Sequence, residues 1–325
     1  MTAGAAPLAP PAAARTSSGR PRRRRIGERW FVPYLFILPH LIIFALFIGW
    51  PFFFGLYVSF LDFDLFADRR GIPSPFVGLE HYIELFTPGS IHFERFWQTL
   101  WNTIIFVLIS VPTLVGLALG LAALLNGRYV GRNFFRGLYF APWTLSVAVI
   151  GLLWWWIFQS QGGLIANVLE GFGVDSPGWL TSQPWAWLTI LISTVWWTIG
   201  FNTIILLAGM QAIPIDLYEA SSIDGASRWQ QFRSITIPSL RPILLLVITL
   251  QVIASFNLVG QPQFITNGGP PTAETTPVLM HIYNVGFTTG GRYEMSMAAA
   301  MAVVVAVIMV AVSIVNFRVF RSDES

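Results

Sequence analysis

The sequence predicts an all-α polytopic membrane protein with six transmembrane helices, and three observations lead there. Of its 325 residues 54% are apolar and only 11% are charged, against about 25% charged in an ordinary soluble domain. A soluble fold with so few charges would expose too much apolar surface to water. Six stretches reach the roughly 20 apolar residues that a helix needs to cross the hydrocarbon core: residues 31–60, 97–125, 137–159, 185–210, 242–261 and 295–317. The arginines between these stretches lie mostly on alternate sides, as successive crossings require.

The chain opens with residues 1–29, rich in Ala, Pro and Arg with a run at Arg22–Arg25. This composition predicts a disordered basic tail. A nucleic-acid or nuclear-localisation role for the run is disfavoured because a span follows at once. That span is also far longer than the 7–15-residue core of a cleaved signal peptide. A transmembrane domain at residues 30–320 follows. With the N-terminus inside, 15 of the 19 arginines are cytoplasmic and four, Arg69, Arg70, Arg95 and Arg292, are outside. The positive-inside rule selects that orientation, with both termini cytoplasmic.

Several chemistries are excluded. There is no cysteine, hence no disulfide, thiolate metal site or cysteine nucleophile. There is no lysine either, so a phosphate-binding loop of the G-x-x-x-x-G-K-[ST] type and Schiff-base chemistry are both ruled out. If ATP powers the protein, another subunit binds it. Apart from His40 the spans carry almost no ionisable side chain, which argues against a carrier coupled to protons or sodium; such carriers place ionisable groups or broken helices at mid-membrane. Pro39, Pro51, Pro112 and Pro142 punctuate the spans as candidate kinks. Gly116 and Gly120 form a G-x-x-x-G pair suited to close helix packing.

The most informative stretch is the cytoplasmic loop at residues 211–241, QAIPIDLYEASSIDGASRWQQFRSITIPSLR. Pro214 suits a first helical position, and Asp216 and Glu219 fall in opening turns where acid is favoured. Gly225 is placed to end that helix in a left-handed turn. Ser227 and Gln230 form a capping box for a second helix, which Pro238 and Pro242 limit before the fifth span. The prediction is a helix–turn–helix bracket on the cytoplasmic face.

This loop resembles the signature of importer permeases of the ATP-binding-cassette class: E-A-A, three residues, G, nine residues, I, one residue, L-P. Glu219, Ala220, Ser221, Gly225, Ile235, Ile237 and Pro238 occupy those places, with Ser221 for Ala and Ile237 for Leu. Other runs resemble the carbohydrate-uptake branch: FVGLEHYIELF at 76–86, with His81 where Asn is usual, FWQTLWNT at 96–103, and TNGGP at 266–270. The resemblance covers roughly residues 30–320. It implies the type I importer transmembrane fold and a bacterial cytoplasmic-membrane subunit that passes a sugar or oligosaccharide. The implied partners are a second permease, two ATPase subunits that bind ATP and Mg, and an extracytoplasmic solute-binding protein. No cofactor is implied in this chain. By the same resemblance Glu219, Ala220, Ser221, Asp224, Gly225, Ile235 and Pro238 form the coupling helix that meets the ATPase.

Aligned to sugar permeases, the chain places Trp143, Ser146 and Val147 in the third span, Trp197, Thr198 and Phe201 in the fourth, and Ser255, Asn257 and Leu258 in the fifth along the solute pathway. Aromatic faces suit the C–H surfaces of sugars, and neutral donors and acceptors suit their hydroxyls. Interhelical hydrogen bonding and core packing are the alternative for each residue. Two other functions compete: the same machine for a glycerophosphodiester or another polar solute, which would favour an arginine in the pathway, and a membrane glycosyltransferase, for which Asp62 and Asp64 form a D-x-D pair. The glycosyltransferase reading leaves the loop at 211–241 unexplained.

Overall fold

A computed structural model describes residues 31–64, 70, 73–127, 130–269, 274–287 and 294–321. The basic tail, Arg69, Arg128, Arg292 and Pro270 lie outside the described residues. The chain divides into two compact units, Met1–Phe53 and Phe54–Ser325. Among the described residues the regular elements are helices, joined by turns and irregular segments, with one isolated antiparallel bridge between Leu61 and Phe76.

In chain order the helices are α1 (Val32–Val58), α2 (Glu80–Phe86), α3 (Ile91–Leu125), α4 (Arg132–Phe140), α5 (Val147–Ile157), α6 (Leu164–Gly171), α7 (Trp185–Gln211), α8 (Ile215–Ile223), α9 (Arg228–Ser239), α10 (Arg241–Phe256), α11 (Gly260–Ile265), α12 (Val278–Phe287) and α13 (Met295–Arg321). Four of them, α1, α3, α7 and α13, are each long and apolar enough to cross a membrane. Six crossings result if each of two bent pairs is one span.

The third span departs from the continuous helix predicted at 137–159: it is α4, a 3₁₀ turn at Ala141–Thr144, then α5, bent by 99° at the break. Pro142, a candidate kink, lies in that turn, where its missing N–H and fixed φ end the α-helix. The 69° bend where α9 meets α10 falls between Pro238 and Pro242, where the sequence separates the bracket from the fifth span. The helix predicted at 242–261 is instead interrupted between Phe256 and Gly260.

The other prolines do less. Pro39 and Pro112 sit inside α-helix. A π-helical turn, Ala45–Gly49, runs up to the residue before Pro51. A second π turn, Phe232–Thr236, ends just before Pro238, so that proline sits within α9 rather than beyond its end. Such turns absorb the donor that proline lacks.

Packing differs sharply along the chain. The best apolar window of α7 is 50% buried and that of α1 only 6%. Ala118, Ala122 and Leu125 of α3 pack with Leu206, Leu207 and Met210 of α7 and Val247 of α10. Gly116 and Gly120 face no neighbour within the chain, so the G-x-x-x-G pair is not the packing seam here. Gly200 is: a methyl group there would collide with the Tyr139 carbonyl, because the end of α4 crosses the middle of α7 at backbone contact.

The motifs at 76–86, 96–103 and 266–270 are tied into the segments around them. The Asn102 amide donates to the carbonyls of Glu274 and Thr276, at 3.1 and 3.3 Å. Thr103 Oγ1 accepts from the Val278 amide at 2.9 Å. The N-T of FWQTLWNT thus ties down the strand of chain that follows TNGGP. Within that turn Asn267 (φ 51°) and Gly268 (φ 74°) are both left-handed. His81 bonds the Leu61 carbonyl at 3.0 Å, which fixes the approach to α2.

Candidate functional site: a cavity at the helix breaks and a two-helix bracket

A cavity of about 330 Å³ opens where the two broken spans meet α7 and α3. Trp143 and Val147 line it from the third span, Thr194, Trp197 and Thr198 from α7, and Gln251, Ser255, Asn257, Leu258, Gly260 and Gln261 from the fifth span. Phe106 reaches it from α3. No lining residue is ionisable. The volume is within the range of small-molecule sites.

Of the nine residues aligned to the pathway, seven line this cavity. Phe201 stands one layer behind, its ring stacked on Trp143 with centroids 4.7 Å apart, and Trp197 tilts against the same indole at 5.6 Å. Ser146 is placed elsewhere: it is exposed and caps α5, accepting from the Val149 amide at 3.4 Å. The break makes that cap necessary, since the first amides of a new helix have no carbonyl partner.

The polar groups hold different positions. Thr198 donates back to the Thr194 carbonyl at 2.8 Å, so its hydroxyl hydrogen is spent within the helix. Asn257 is exposed and donates through Nδ2 to the Ile253 carbonyl at 2.8 Å, closing the end of α10 and leaving Oδ1 as acceptor. Ser255 is buried and bonded to Ser110 Oγ at 3.1 Å. The Trp197 indole N–H is buried with no partner in the chain. Leu258 packs with Phe106 and Ile190. Gln251, Thr194, Gln261 and Phe106 were not anticipated; a Gln one turn before Ser255 in an apolar span was a usable signal for the first.

The bracket at 211–241 forms as two helices, α8 and α9. Pro214 sits at the N-cap of α8, one place earlier than predicted. Gly225 has φ 79° and open space around it. A left-handed backbone, not crowding, is therefore what requires glycine. The Ala226 amide bonds back to the Ser221 carbonyl at 2.9 Å, closing the turn. The capping box of Ser227 and Gln230 is present in both directions, at 3.3 and 2.7 Å.

A clamp that sequence reading missed joins the two arms. Tyr218 OH lies 2.9 Å from Thr236 Oγ1. Gln231 Nε2 reaches the Tyr218 carbonyl, Ser221 Oγ and Ser222 Oγ at 3.1, 3.0 and 2.8 Å. Ser221, the departure from E-A-A, thus gains a hydrogen bond across the bracket. Glu219, Ala220, Asp224 and Pro238 are exposed and Ile235 is half-buried. Ile223 and Trp229 stand 87% and 68% exposed beside them, an apolar surface left uncovered by the described residues.

Near the start of α13, His281 of α12 is pushed down from 6.5 to about 4, by burial first and then by His92 and Arg95. His92 Nε2 lies 3.1 Å from a Glu294 carboxylate oxygen and 3.8 Å from one of Glu84.

Residues 115–322 match the profile of the family described as binding-protein-dependent transport system inner membrane component. The chain is 31% identical to the sulfoquinovosyl glycerol transport system permease protein SmoG of Agrobacterium fabrum, over 92% of this chain and 93% of that protein. It is 33% identical to the trehalose/maltose transport system permease protein MalF of Thermococcus litoralis, over 95% and 98%. To the sn-glycerol-3-phosphate transport system permease protein UgpA of Escherichia coli it is 34% identical, over 94% and 98%. Its fold matches a chain in the crystal structure of a bacterial alginate ABC transporter in complex with alginate pentasaccharide-bound periplasmic protein, with TM-score 0.74 and 23% identity over 88% of this chain and 92% of that one. With the profile matching almost two thirds of its length and relatives 31–34% identical over nearly all of it, the chain belongs to the family of binding-protein-dependent transport system inner membrane components.

Proposed function

We propose that the chain is the permease subunit that passes a neutral sugar-like solute in an importer driven by ATP hydrolysis on separate subunits. One observation carries this reading: the cavity at the two helix breaks combines aromatic faces with neutral donors and acceptors and has no ionisable side chain on its wall. A sugar hydroxyl needs neutral partners, and a C–H face needs an indole. A phosphorylated solute such as glycerol phosphate would call for a guanidinium at the wall. The relatives named for trehalose/maltose and for sulfoquinovosyl glycerol support the glycoside reading.

The absence of lysine supports an ATP site on another chain. In this reading two ATPase subunits bind ATP and Mg and dock on the bracket, with Glu219 and the apolar face at Ile223 and Trp229 as contact. A second permease completes the cavity wall, and a solute-binding protein delivers to the outer end. Both termini are cytoplasmic. Because cysteine is absent, single cysteines are clean probes of orientation: an impermeant thiol reagent applied outside should label Thr87→Cys and not Ser227→Cys, and the reverse pattern overturns the topology.

The decisive experiment co-expresses the chain with the permease, ATPases and binding protein encoded beside it. The binding protein is screened by thermal shift against neutral disaccharides, glycosyl-glycerols, uronate oligosaccharides and glycerol phosphates. Uptake into proteoliposomes then follows for each hit. Neutral glycosides should be retained and transported with ATP. Exclusive retention and transport of a phosphorylated solute overturns the neutral-sugar reading.

A further inference from the structure

Most polar side chains on the cavity wall are engaged within the chain. Thr194 and Thr198 donate to the carbonyls of Ile190 and Thr194, each at 2.8 Å. The Gln251 amide bonds Asn202 and Ser255, at 3.0 and 3.3 Å, and Ser255 Oγ lies 3.1 Å from Ser110 Oγ. Asn257 donates to the Ile253 carbonyl at 2.8 Å. Gln261 of α11 differs. It lines the cavity and is only 6% exposed, yet its side-chain amide has no hydrogen-bond partner among the described residues. The Trp197 indole N–H is also unpaired, but that atom is enclosed and can only donate. The Gln261 amide is not enclosed, and both its donors and its acceptor are free at the cavity wall.

A buried amide without a partner is costly, so whatever occupies the cavity gains by bonding it. The backbone that carries Gln261 is also fixed in advance. Gly260, the residue before it, has no room for a methyl group beside Val147, so α11 is locked against α5 and little ordering is left for a solute to bring about. Trp143 on the same wall offers a ring face. A primary amide sets its carbonyl oxygen and its NH2 side by side. Two hydroxyls on adjacent ring carbons match that pair: one donates to the oxygen and the other accepts from the nitrogen. Each hydroxyl can do either, so turning the amide end for end only exchanges their roles, and both bonds survive. A group that only accepts, such as an ionised phosphate or carboxylate, satisfies just half of the amide.

We infer that Gln261 is a specificity-determining residue that takes a vicinal diol of the passing sugar. The inference rests on the reading of the cavity as the path of a neutral sugar. It adds which feature of the sugar is recognised there, and by which residue. The alternative is that Gln261 only fills the wall. Filling predicts that its replacement affects all solutes alike, whereas diol recognition confines the effect to sugars that carry both hydroxyls.

The test uses the complete reconstituted importer. The probes are a neutral disaccharide retained by its binding protein and the set of monodeoxy analogues of that sugar. Affinity is read by equilibrium dialysis against the complex without the binding protein, which admits analogues that the binding protein rejects. Uptake with the binding protein is read for those it retains. Gln261→Met is compared with the native importer, and Gln261→Ala is added in case the thioether crowds the wall and the complex fails to assemble. In the native importer, removing either of two adjacent hydroxyls should weaken apparent affinity by about 2- to 13-fold, the range for one neutral hydrogen bond. In the variants the parent sugar should be weakened at least as much. Deoxygenation at those two positions should then cost nothing further, and deoxygenation elsewhere should cost what it did before. If the variants weaken the parent and every analogue by one common factor, Gln261 fills the wall and the diol assignment is overturned. If Trp143→Ala alters affinity or uptake and the Gln261 variants alter neither, the cavity reading stands and the role of Gln261 is overturned. If Trp143→Ala and the Gln261 variants all alter nothing, or no neutral sugar is bound or transported, the underlying reading itself fails.

Discussion

The bracket and the cavity are built in opposite ways. In the bracket every defining feature is settled within residues 211–241: a left-handed glycine, a capping box, and a glutamine bonding back to the preceding helix. In the cavity the wall is gathered from Phe106 to Gln261, and its shape depends on where two spans break. The bracket is held by local hydrogen bonds and leaves Ile223 and Trp229 exposed. The cavity is shaped by tertiary packing between spans. Substitutions in the two regions should therefore separate coupling from selection.

The largest effect is expected at the bracket. Gly225→Pro and Glu219→Lys should abolish uptake and leave the chain inserted, with little stimulation of ATP hydrolysis by the binding protein. Gly225→Ala should be milder, since nothing crowds the site and only the left-handed backbone is strained, at about 1–2 kcal/mol. Stimulated ATPase and uptake at normal levels in both severe variants would remove the bracket from the coupling path.

Next in size is the scaffold of the cavity. Gly200→Ala should force α4 off α7 and cost about 1–3 kcal/mol or more, as overpacking does. Gly116→Ala, with nothing nearby, should be neutral or slightly stabilising. Thermal unfolding of the detergent-solubilised chain decides this, and equal melting points for the two variants would mean that the crossing is looser than described.

A comparable but conditional effect belongs to His281. Between pH 6.5 and about 4 the unfolded chain protonates His281 while the folded chain keeps it neutral. The unfolded state then binds more protons, so stability falls as pH drops through that window and is level below it. The full shift corresponds to about 3 kcal/mol at most. His281→Leu should flatten the loss in melting temperature over that window. An unchanged slope would mean that His281 does not set the acid sensitivity.

The smallest effect should come from the wall itself. Asn257→Ala and Ser255→Ala should weaken apparent solute affinity by about 2- to 13-fold, with stimulated ATPase largely retained. Uptake kinetics unchanged in both would leave them as packing residues and sharpen the case for Gln261.

This contrast also explains what could be read from the sequence. Short-range chemistry was legible: the turn at Gly225, the caps at Ser227 and the number of crossings all follow from neighbours within a few residues. The breaks were not. Pro142 announced a kink, yet a 99° turn needs the Tyr139 carbonyl lodged on Gly200, a contact across some sixty residues that no local pattern encodes. The end of α10 at Asn257 gave less warning still, since residues 242–261 read as one apolar run. Ser146 went to a cap instead of the wall because alignment supplies a position along the chain and not the direction of a side chain.

The two half-helices beyond the breaks carry a mechanical consequence. At Gly151 of α5 a methyl group would collide with Phe264 of α11, and at Gly260 of α11 one would collide with Val147 of α5. Each segment accepts the other's side chain where it has none of its own, like two gear teeth in mesh. Neither can slide or rotate without carrying the other. The segments that follow the breaks at Leu145–Ser146 and Asn257–Val259 thus form one interlocked plate at the lip of the cavity.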